Sequence, residues 1–269
     1  TGFGALANVK ISEEELEKLQ LNLIRSHSAG VGKPLPRDIV RATILLRVNT
    51  LARGYSGVRL EVLETLVEML NKGVHPVVPE KGSVCASGDL APLSHIALVL
   101  IGEGKAEYKG EILDGKKALE KAGIKPLKLK AKEGMALNNG TQLTAAIAAL
   151  AVYDAEQLVK TAETATALSL EALQGIVDAF DERIQRVRPH SGQIISARNI
   201  RQLIKGSKLV CLGEKAVKNF GYPQDPYTLR CTPQVLGAVR NAIAHVKSIV
   251  ETEINSVTDN PLVFPEEKT

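Results

Sequence analysis

The side chains that could do chemistry in this sequence are concentrated in a few short polar segments. Tyr227 and Arg230 stand three residues apart, so one helical turn would place them on the same side. The planar guanidinium of Arg230 suits bidentate binding of a carboxylate. Considered by residue type alone, however, this segment is equally an ordinary surface loop, and Ala86-Ser87-Gly88 is equally a simple turn of small residues.

Two further polar positions lie at the ends of expected helices. His27 follows Ser26 at the end of the first helical segment, where a histidine can cap the helix and interact favourably with its dipole. Asn139 precedes Gly140 at the start of the longest helical pattern, as in an Asn-Gly turn followed by a helix N-cap. Either position could therefore serve structure, chemistry or both.

Helical patterns account for most of the chain that must position these side chains. Ser12 and Glu15 have the spacing of a capping box. The periodicity of apolar residues and the Gly and Pro stop signals predict further helices. Their expected ranges are 37–52, 60–71, 141–174 and 234–255. The third of these lacks Gly and Pro and is apolar on most faces, which predicts a central, buried helix.

Residues 77–91 predict an irregular loop leading into a helix near Pro92. The strand signals are confined to one later region. Residues 106–132 are the only part with strand character, and the segments on either side of Lys109-Gly110 predict a short β-hairpin. The expected fold is mainly α: a long-helix bundle over 141–269, with a smaller loop-rich N-terminal subdomain over 1–140 that contains the hairpin.

Composition excludes several classes of function. Aromatic residues make up 3% of the chain and the net charge is only +4 with scattered basic residues, which argues against nucleic-acid binding. No apolar run is long enough to cross a membrane, and no signal peptide is evident. Three cysteines favour a reducing, cytoplasmic location. His75, His95 and His245 lack partners at metal-ligand spacing, so we expect no metal site.

The stretch from Gly82 to His95, which contains Ala86-Ser87-Gly88-Asp89, resembles the signature of the ammonia-lyases and aminomutases that act on aromatic amino acids. The resemblance implies that the tripeptide forms 4-methylidene-imidazol-5-one (MIO) without an external cofactor. The Gly88 nitrogen would attack the Ala86 carbonyl carbon, and the loss of two waters would leave an electrophilic methylidene. Glycine at the attacking position avoids a side-chain clash. Cys85 stands where similar sequences have Gly.

The resemblance also implies roles for residues elsewhere. Gln224–Gln234 is similar to a second family signature, which makes Tyr227 catalytic and makes Gln224 and Arg230 substrate-binding. Asn139 would hydrogen-bond the substrate or MIO, while Asn260 would support the residues that make such contacts. His27 after Ser26 matches the histidine-specific branch, in which an imidazole-binding residue is wanted.

The activity implied by this resemblance is the elimination of ammonia from L-histidine to give urocanate. A small amino acid substrate and a homotetramer, with each site drawing on several subunits, are implied as well. The nearest alternative is a tyrosine or phenylalanine ammonia-lyase, or an aminomutase, of the same family. A fumarase-type helical lyase is disfavoured because its Gly-Ser-Ser loop motif is lacking.

A third alternative is an inactive helical fragment. Thr1-Gly2-Phe3-Gly4 resembles the end of a family motif whose catalytic tyrosine would stand upstream. A family glutamate on a later helix would lie beyond Thr269. We therefore expect a piece of a longer enzyme that is inactive by itself.

Overall fold

The computed structural model describes residues 8–84, 86–264 and 266. This part of the chain divides into two compact units. The first extends to Ala148 and takes in the chain again from Glu251, and the second is Ala149–Val250. The division falls later than the expected boundary after residue 140, and the return of the C-terminal stretch to the first unit was not predicted.

Helices make up most of both units, as the mainly α fold class predicts. Those of the first unit are α1 (Glu13–His27), α2 (Arg37–Ala52), α3 (Leu60–Lys72), α4 (Leu90–Leu100), α5 (Gly115–Lys121) and α6 (Glu133–Asn138). Helix α7 (Gln142–Ala172) begins in the first unit and continues into the second. The second unit adds α8 (Glu182–Val187), α9 (Ser191–Leu203), α10 (Gly213–Phe220), α11 (Tyr227–Arg230) and α12 (Thr232–Glu253), which ends in the first unit. Within the described ranges, no helix is both long and apolar enough to cross a bilayer.

The helix ends follow the stop signals in the sequence, with one exception at a start. Gly73 closes α3 in the left-handed conformation that glycine adopts at low cost, with φ of 72°. Ser12 is the N-cap of α1, but its side chain makes no capping hydrogen bond, so the expected capping box is not formed.

Strands are more numerous than the sequence indicated. The hairpin is confirmed, with β4 (Lys105–Tyr108) antiparallel to β5 (Glu111–Asp114). However, β2 (Val74–Pro76) adds to β4, and β1 (Val31–Pro34) pairs with β3 (Pro79–Lys81) in a second small sheet. These three strands have only three or four residues each. Such short segments, with Pro at an end, carry no readable alternation.

The core of the first unit is aliphatic, as the low aromatic content predicts. Val62, Leu66 and Met69 of α3 are fully buried and pack with Ile44 of α2 and Leu100 of α4. Spacings of three and four residues place the α3 side chains on one face of the helix. This packing fixes α2 and α4, the two helices on which the candidate site depends.

The second unit has a smaller core around Leu170, Phe180 and Ile200. Only one side of α7 packs on this core, so Leu158 and Leu168 remain largely exposed in the described chain. The expectation that α7 is buried on most faces is therefore wrong for the described residues.

A buried carboxylate ties the start of α6 to the segment before α3. Glu133, whose side chain is 1% exposed, accepts hydrogen bonds from the Arg59 Nε at 2.8 Å and Nη2 at 2.9 Å. It also accepts bonds from the backbone N–H groups of Lys130 at 2.7 Å and Arg59 at 3.2 Å. Burial raises the pKa of Glu133, but the hydrogen bonds from Arg59 and the backbone outweigh it and hold the pKa below its ordinary value.

We expect Glu133→Gln to lower the free energy of unfolding at pH 7 by about 2 kcal/mol, since hydrogen bonds to a charged group contribute roughly 1.5–3 kcal/mol. Because the folded-state pKa is depressed, this contribution is present above the ordinary carboxyl pKa and is lost as pH falls through the lowered value. Chemical denaturation at several pH values measures it. Glu61→Gln is the control: Glu61 pairs with the same Arg59 but is 58% exposed, so the loss should stay below about 1 kcal/mol. Equal losses in the two variants would contradict the assignment.

Candidate active site

The loop that carries the tripeptide crosses a second main-chain segment at a pair of glycines. Gly88 and Gly140 form an isolated parallel bridge. The Gly140 N–H donates to the Ser87 carbonyl at 3.1 Å, and the Asp89 N–H donates to the Gly140 carbonyl at 2.6 Å. Gly88 has φ of +87°, and a Cβ there would overlap the carbonyl oxygen of Gly140. Only glycine therefore permits this crossing. Ala86 lies at the start of the crossing, and Cys85 falls outside the described residues.

The hydroxyl of Ser87 lies between two side-chain amides. It donates to Oδ1 of Asn139. Nδ2 of Asn260 in turn donates to the Ser87 Oγ at 2.6 Å and to the Asn139 Oδ1 at 3.3 Å. The Asn139 amide is itself held by bonds from its Nδ2 to the Met135 carbonyl at 3.0 Å and to the Asn138 Oδ1 at 2.9 Å. The hydroxyl thus has an acceptor for its proton and a donor to its oxygen. Asn260 was expected to support the site residues rather than to contact the tripeptide, but it donates directly to Ser87.

A buried aspartate connects the tripeptide to the starts of two helices. Asp89, 1% exposed, accepts from the Ser83 hydroxyl and from the Thr144 hydroxyl and N–H, each at 2.8 Å. It stands immediately before α4, while Thr144 lies in the first turn of α7. The sequence analysis predicted only that a helix begins near Pro92, after Asp89. The three bonds show that it also fixes both flanks of the tripeptide.

A buried arginine, absent from the sequence predictions, holds the other side of the glycine crossing. Arg47 in α2 is 1% exposed. It donates to the carbonyls of Ala136, at 3.0 Å, and Asn139. Burial lowers the pKa of Arg47 to about 10, against the opposing influence of Asp259 and Asp89. No local pattern marks this residue, because an arginine within a helix normally faces solvent.

His27 is the last residue of α1 and is half-buried. Its Nδ1 lies 2.9 Å from the Leu23 carbonyl and 3.0 Å from the Ser26 hydroxyl. An N–H at Nδ1 that donates to the carbonyl leaves Nε2 of a neutral ring as an acceptor. Among the described residues, Nε2 has no hydrogen-bond partner. The ring therefore caps its helix and keeps one nitrogen available for another group.

The remaining predicted site residues form a group in the second unit. The guanidinium of Arg230 donates to Oε1 of Gln224 and lies 4.3 Å above the centre of the Tyr227 ring. Both contacts orient a planar cation. All three side chains line a cavity of about 680 Å³, together with Ser169 of α7 and Leu173, which directly follows that helix. Tyr227 is 70% exposed there.

Two buried residues, Asp225 and Leu229, anchor the backbone of α11. Asp225 is buried and accepts from the Ile176 N–H at 2.6 Å, and Leu229 packs into the small core of this unit. These inward residues alternate with the outward ones, so Gln224, Tyr227 and Arg230 are presented together. In the part of the chain that the structure describes, no three His, Cys, Asp or Glu side chains are placed to hold a metal ion.

The chain matches known proteins along nearly its whole length. The family model described as aromatic amino acid lyase matches residues 1–269. The chain is 60% identical over 268 residues to "Histidine ammonia-lyase 2" of Fusobacterium nucleatum, covering 99% of this chain and 51% of that protein. It is 56% identical to "Histidine ammonia-lyase" of Caldanaerobacter subterraneus, with 99% and 52% covered. The chain thus spans about half the length of the curated relatives it matches.

Solved structures match over the same extent. Pantoea agglomerans phenylalanine aminomutase is 36% identical with a TM-score of 0.94, covering 100% of this chain and 54% of that one. Histidine ammonia-lyase from Trypanosoma cruzi is 41% identical with a TM-score of 0.86, covering 97% and 48%. The helical fold is therefore shared with both lyases and aminomutases.

The glycine crossing generates a stability prediction with a matched control. Gly88→Ala should lower the free energy of unfolding by about 3 kcal/mol or more, because it adds a steric overlap to the cost of a left-handed alanine. Gly110 also has φ of +87°, but a Cβ there meets nothing within 4 Å. Gly110→Ala should therefore cost only about 1–2 kcal/mol. Thermal unfolding of both variants measures the difference, and equal losses would show that the crossing tolerates a methyl group.

Proposed function

Because the chain belongs to the aromatic amino acid lyase family, we propose that the whole protein eliminates ammonia from L-histidine to give urocanate. The reaction uses MIO formed from Ala86, Ser87 and Gly88. The observation that carries this proposal is the Ser87 hydroxyl, which lies between two amides on a loop that only glycine can complete. The two curated relatives named as histidine ammonia-lyases support histidine as the substrate.

The residues present fit the prosthetic group. Ring closure joins the Gly88 nitrogen to the Ala86 carbonyl carbon, and the Gly140 backbone presses against the tripeptide at this point. Ser87 must then lose its hydroxyl as water. The Asn260 amide donates to that oxygen, which stabilises it as it leaves. When formed, the group supplies an electrophilic carbon that no ordinary side chain offers.

Substrate binding is assigned to the second group of side chains. Arg230 binds the carboxylate of the amino acid, since a guanidinium can donate two parallel hydrogen bonds to it. Gln224 and the Tyr227 ring hold the guanidinium in one orientation before substrate arrives, which reduces the entropy lost on binding. The Tyr227 hydroxyl is the polar group of this cavity that exchanges a proton with the reacting molecule.

His27 is assigned to recognition of the imidazole ring. Its Nε2 can accept a hydrogen bond from an imidazole N–H, while Nδ1 is held by the Leu23 carbonyl. An aromatic substrate without a ring N–H would leave this nitrogen unpaired. A site that hydrogen-bonds its substrate rejects analogues that lack the partner group.

By resemblance, we propose further that the protein is a cytoplasmic homotetramer whose sites combine residues from several subunits. The separation of the predicted residues into two groups, one in each unit, is compatible with such shared sites. The second candidate function is an aminomutase, favoured by the high TM-score to the Pantoea enzyme. An aminomutase would return the amino group to the β-carbon, so the two functions differ in their product.

Intact mass and product formation test the reaction. The full-length protein should weigh less than its gene predicts by two water molecules and should release urocanate from L-histidine. Ser87→Ala should lose at most one water and should be inactive, because no hydroxyl remains to leave. Ser207→Ala is the control serine, outside both groups, and should match wild type. A wild-type protein that retains both waters would overturn the proposal. Chain 1–269 assayed alongside tests the alternative of an inactive fragment.

Substrate selectivity tests the role of His27. His27→Phe should lower kcat/KM for histidine by about 100-fold, because a hydrogen bond to the substrate ring is lost, and it should leave the two-water mass deficit unchanged. His190→Phe, at the exposed N-cap of α9, is the matched control and should retain wild-type selectivity. If His27→Phe still prefers histidine over phenylalanine and tyrosine to the wild-type degree, another residue recognises the imidazole.

A further inference from the structure

Arg47 presents a buried charge whose hydrogen bonds all go to the main chain. The residue is 1% exposed, and its guanidinium donates to the carbonyls of Ala136 and Asn139 rather than to a carboxylate. Its Nε is buried without a partner among the described residues. A buried cation costs several kcal/mol in desolvation, and neutral donors could satisfy two carbonyls. Asp259 and Asp89 favour its charged form electrostatically, but among the described residues neither accepts a hydrogen bond from the guanidinium, so the charge acts directly on the main chain.

The hydrogen bonds beyond Asn139 supply a direct connection to the tripeptide. The Asn139 carbonyl that accepts from Arg47 belongs to the same peptide group as the Gly140 N–H. That N–H donates to the Ser87 carbonyl at 3.1 Å. The Ser87 carbonyl shares its peptide group with the Gly88 nitrogen. Two peptide groups in series thus link the cation to the atom that must attack in ring closure.

Polarisation passes along such a series. A cation that donates to the oxygen of one amide withdraws electron density from it and makes its N–H a stronger donor to the next oxygen, which strengthens a chain of hydrogen bonds cooperatively. At the end of the series, electron density drawn toward the Ser87 oxygen makes the Gly88 N–H more acidic. The low dielectric around a buried charge increases the effect.

We propose that Arg47 is a positioning residue that promotes ring closure of the tripeptide through this relay, defined as the path from Arg47 through the Asn139-Gly140 and Ser87-Gly88 peptide groups. The proposal rests on the proposed function. The Gly88 N–H gives up its proton to the Ala86 carbonyl oxygen as the nitrogen bonds to that carbon. The resulting hydroxyl leaves with the Ser87 N–H proton as the first water. The Ser87 hydroxyl leaves with its α-proton as the second, and no oxidant is required.

The guanidinium of Arg47 also lies close to Gly140, the second glycine of the crossing. A Cβ at this position would lie 2.9 Å from Nη2 of Arg47 and 2.9 Å from the Thr258 hydroxyl. The guanidinium is thereby packed directly against the Gly140 backbone. Arg47 holds Asn139 as well, whose side chain contacts Ser87. Arg47 therefore acts on the Ser87 carbonyl through the Gly140 N–H. It also acts on Asn139, whose side-chain amide orients the Ser87 hydroxyl.

Time-resolved intact mass of full-length protein, freshly made by cell-free synthesis, measures ring closure separately from turnover. Arg47→Gln keeps a donor but removes the charge, and it should lose its waters at least ~10-fold more slowly than wild type. Arg47→Lys keeps the charge, and its rate of water loss should lie between those of Arg47→Gln and wild type.

Arg41→Gln is the matched control. Arg41 is on the same helix and donates to the Leu70 carbonyl at 3.0 Å, so this variant should close at the wild-type rate.

The outcomes separate the relay from a general effect on folding and from the proposed function. The relay is overturned if folded Arg47→Gln closes at the wild-type rate, or if Arg47→Lys is no faster than Arg47→Gln. If Arg47→Gln does not fold, the pH dependence of Arg47→Lys decides. Its closure should begin to slow at a lower pH than that of wild type, because lysine has a lower ordinary pKa than arginine and loses its charge first, and a profile parallel to that of wild type would overturn the relay. A wild-type protein that never loses water overturns the proposed function and the relay together.

Discussion

The close approach of two main-chain segments at Gly88 and Gly140 is the constraint on which the candidate site of the first unit depends. Neither glycine can carry a side chain there without overlap with its neighbours. The contact holds the Ser87 carbonyl against the Gly140 N–H and the Asp89 N–H against the Gly140 carbonyl. Two otherwise separate loops therefore become one rigid element, from which α4 and α7 both begin.

Hydrogen bonds from buried polar groups hold this element in place. Asp89 accepts from groups on both sides of the crossing, while Arg47 donates to the carbonyls that lead into it. Glu133 fixes the start of α6, the helix that ends just before Asn139. Buried polar groups are costly when left unpaired and rigid when satisfied. Such a network suits a loop that is held in one conformation.

The second unit also contains a buried carboxylate that is held by hydrogen bonds. The Glu163 carboxylate is almost fully buried and accepts from Arg240, Ser196 and Asn199. Burial raises the pKa of Glu163, but these hydrogen bonds outweigh it and lower the pKa below its ordinary value. These bonds tie α9 and α12 to α7, the helix whose Ser169 lines the same cavity as Arg230. Gln224 and Tyr227 orient the guanidinium there. A rigid support beneath an exposed cation reduces the ordering cost of binding a carboxylate.

The sequence by itself determined the features that depend on neighbouring residues. The bounds of α2, the glycine stop of α3, the extent of α7 and the β4–β5 hairpin all follow from periodicity and turn residues, and the segments around Ser87 and Tyr227 were recognised from contiguous motifs. Only the tertiary structure decided which distant groups meet. Asn260 contacts Ser87 across 173 positions, and the buried Arg47 reaches Asn139 across 92. Contacts at such separations leave no local pattern, because they arise from how packed helices bring chain segments together.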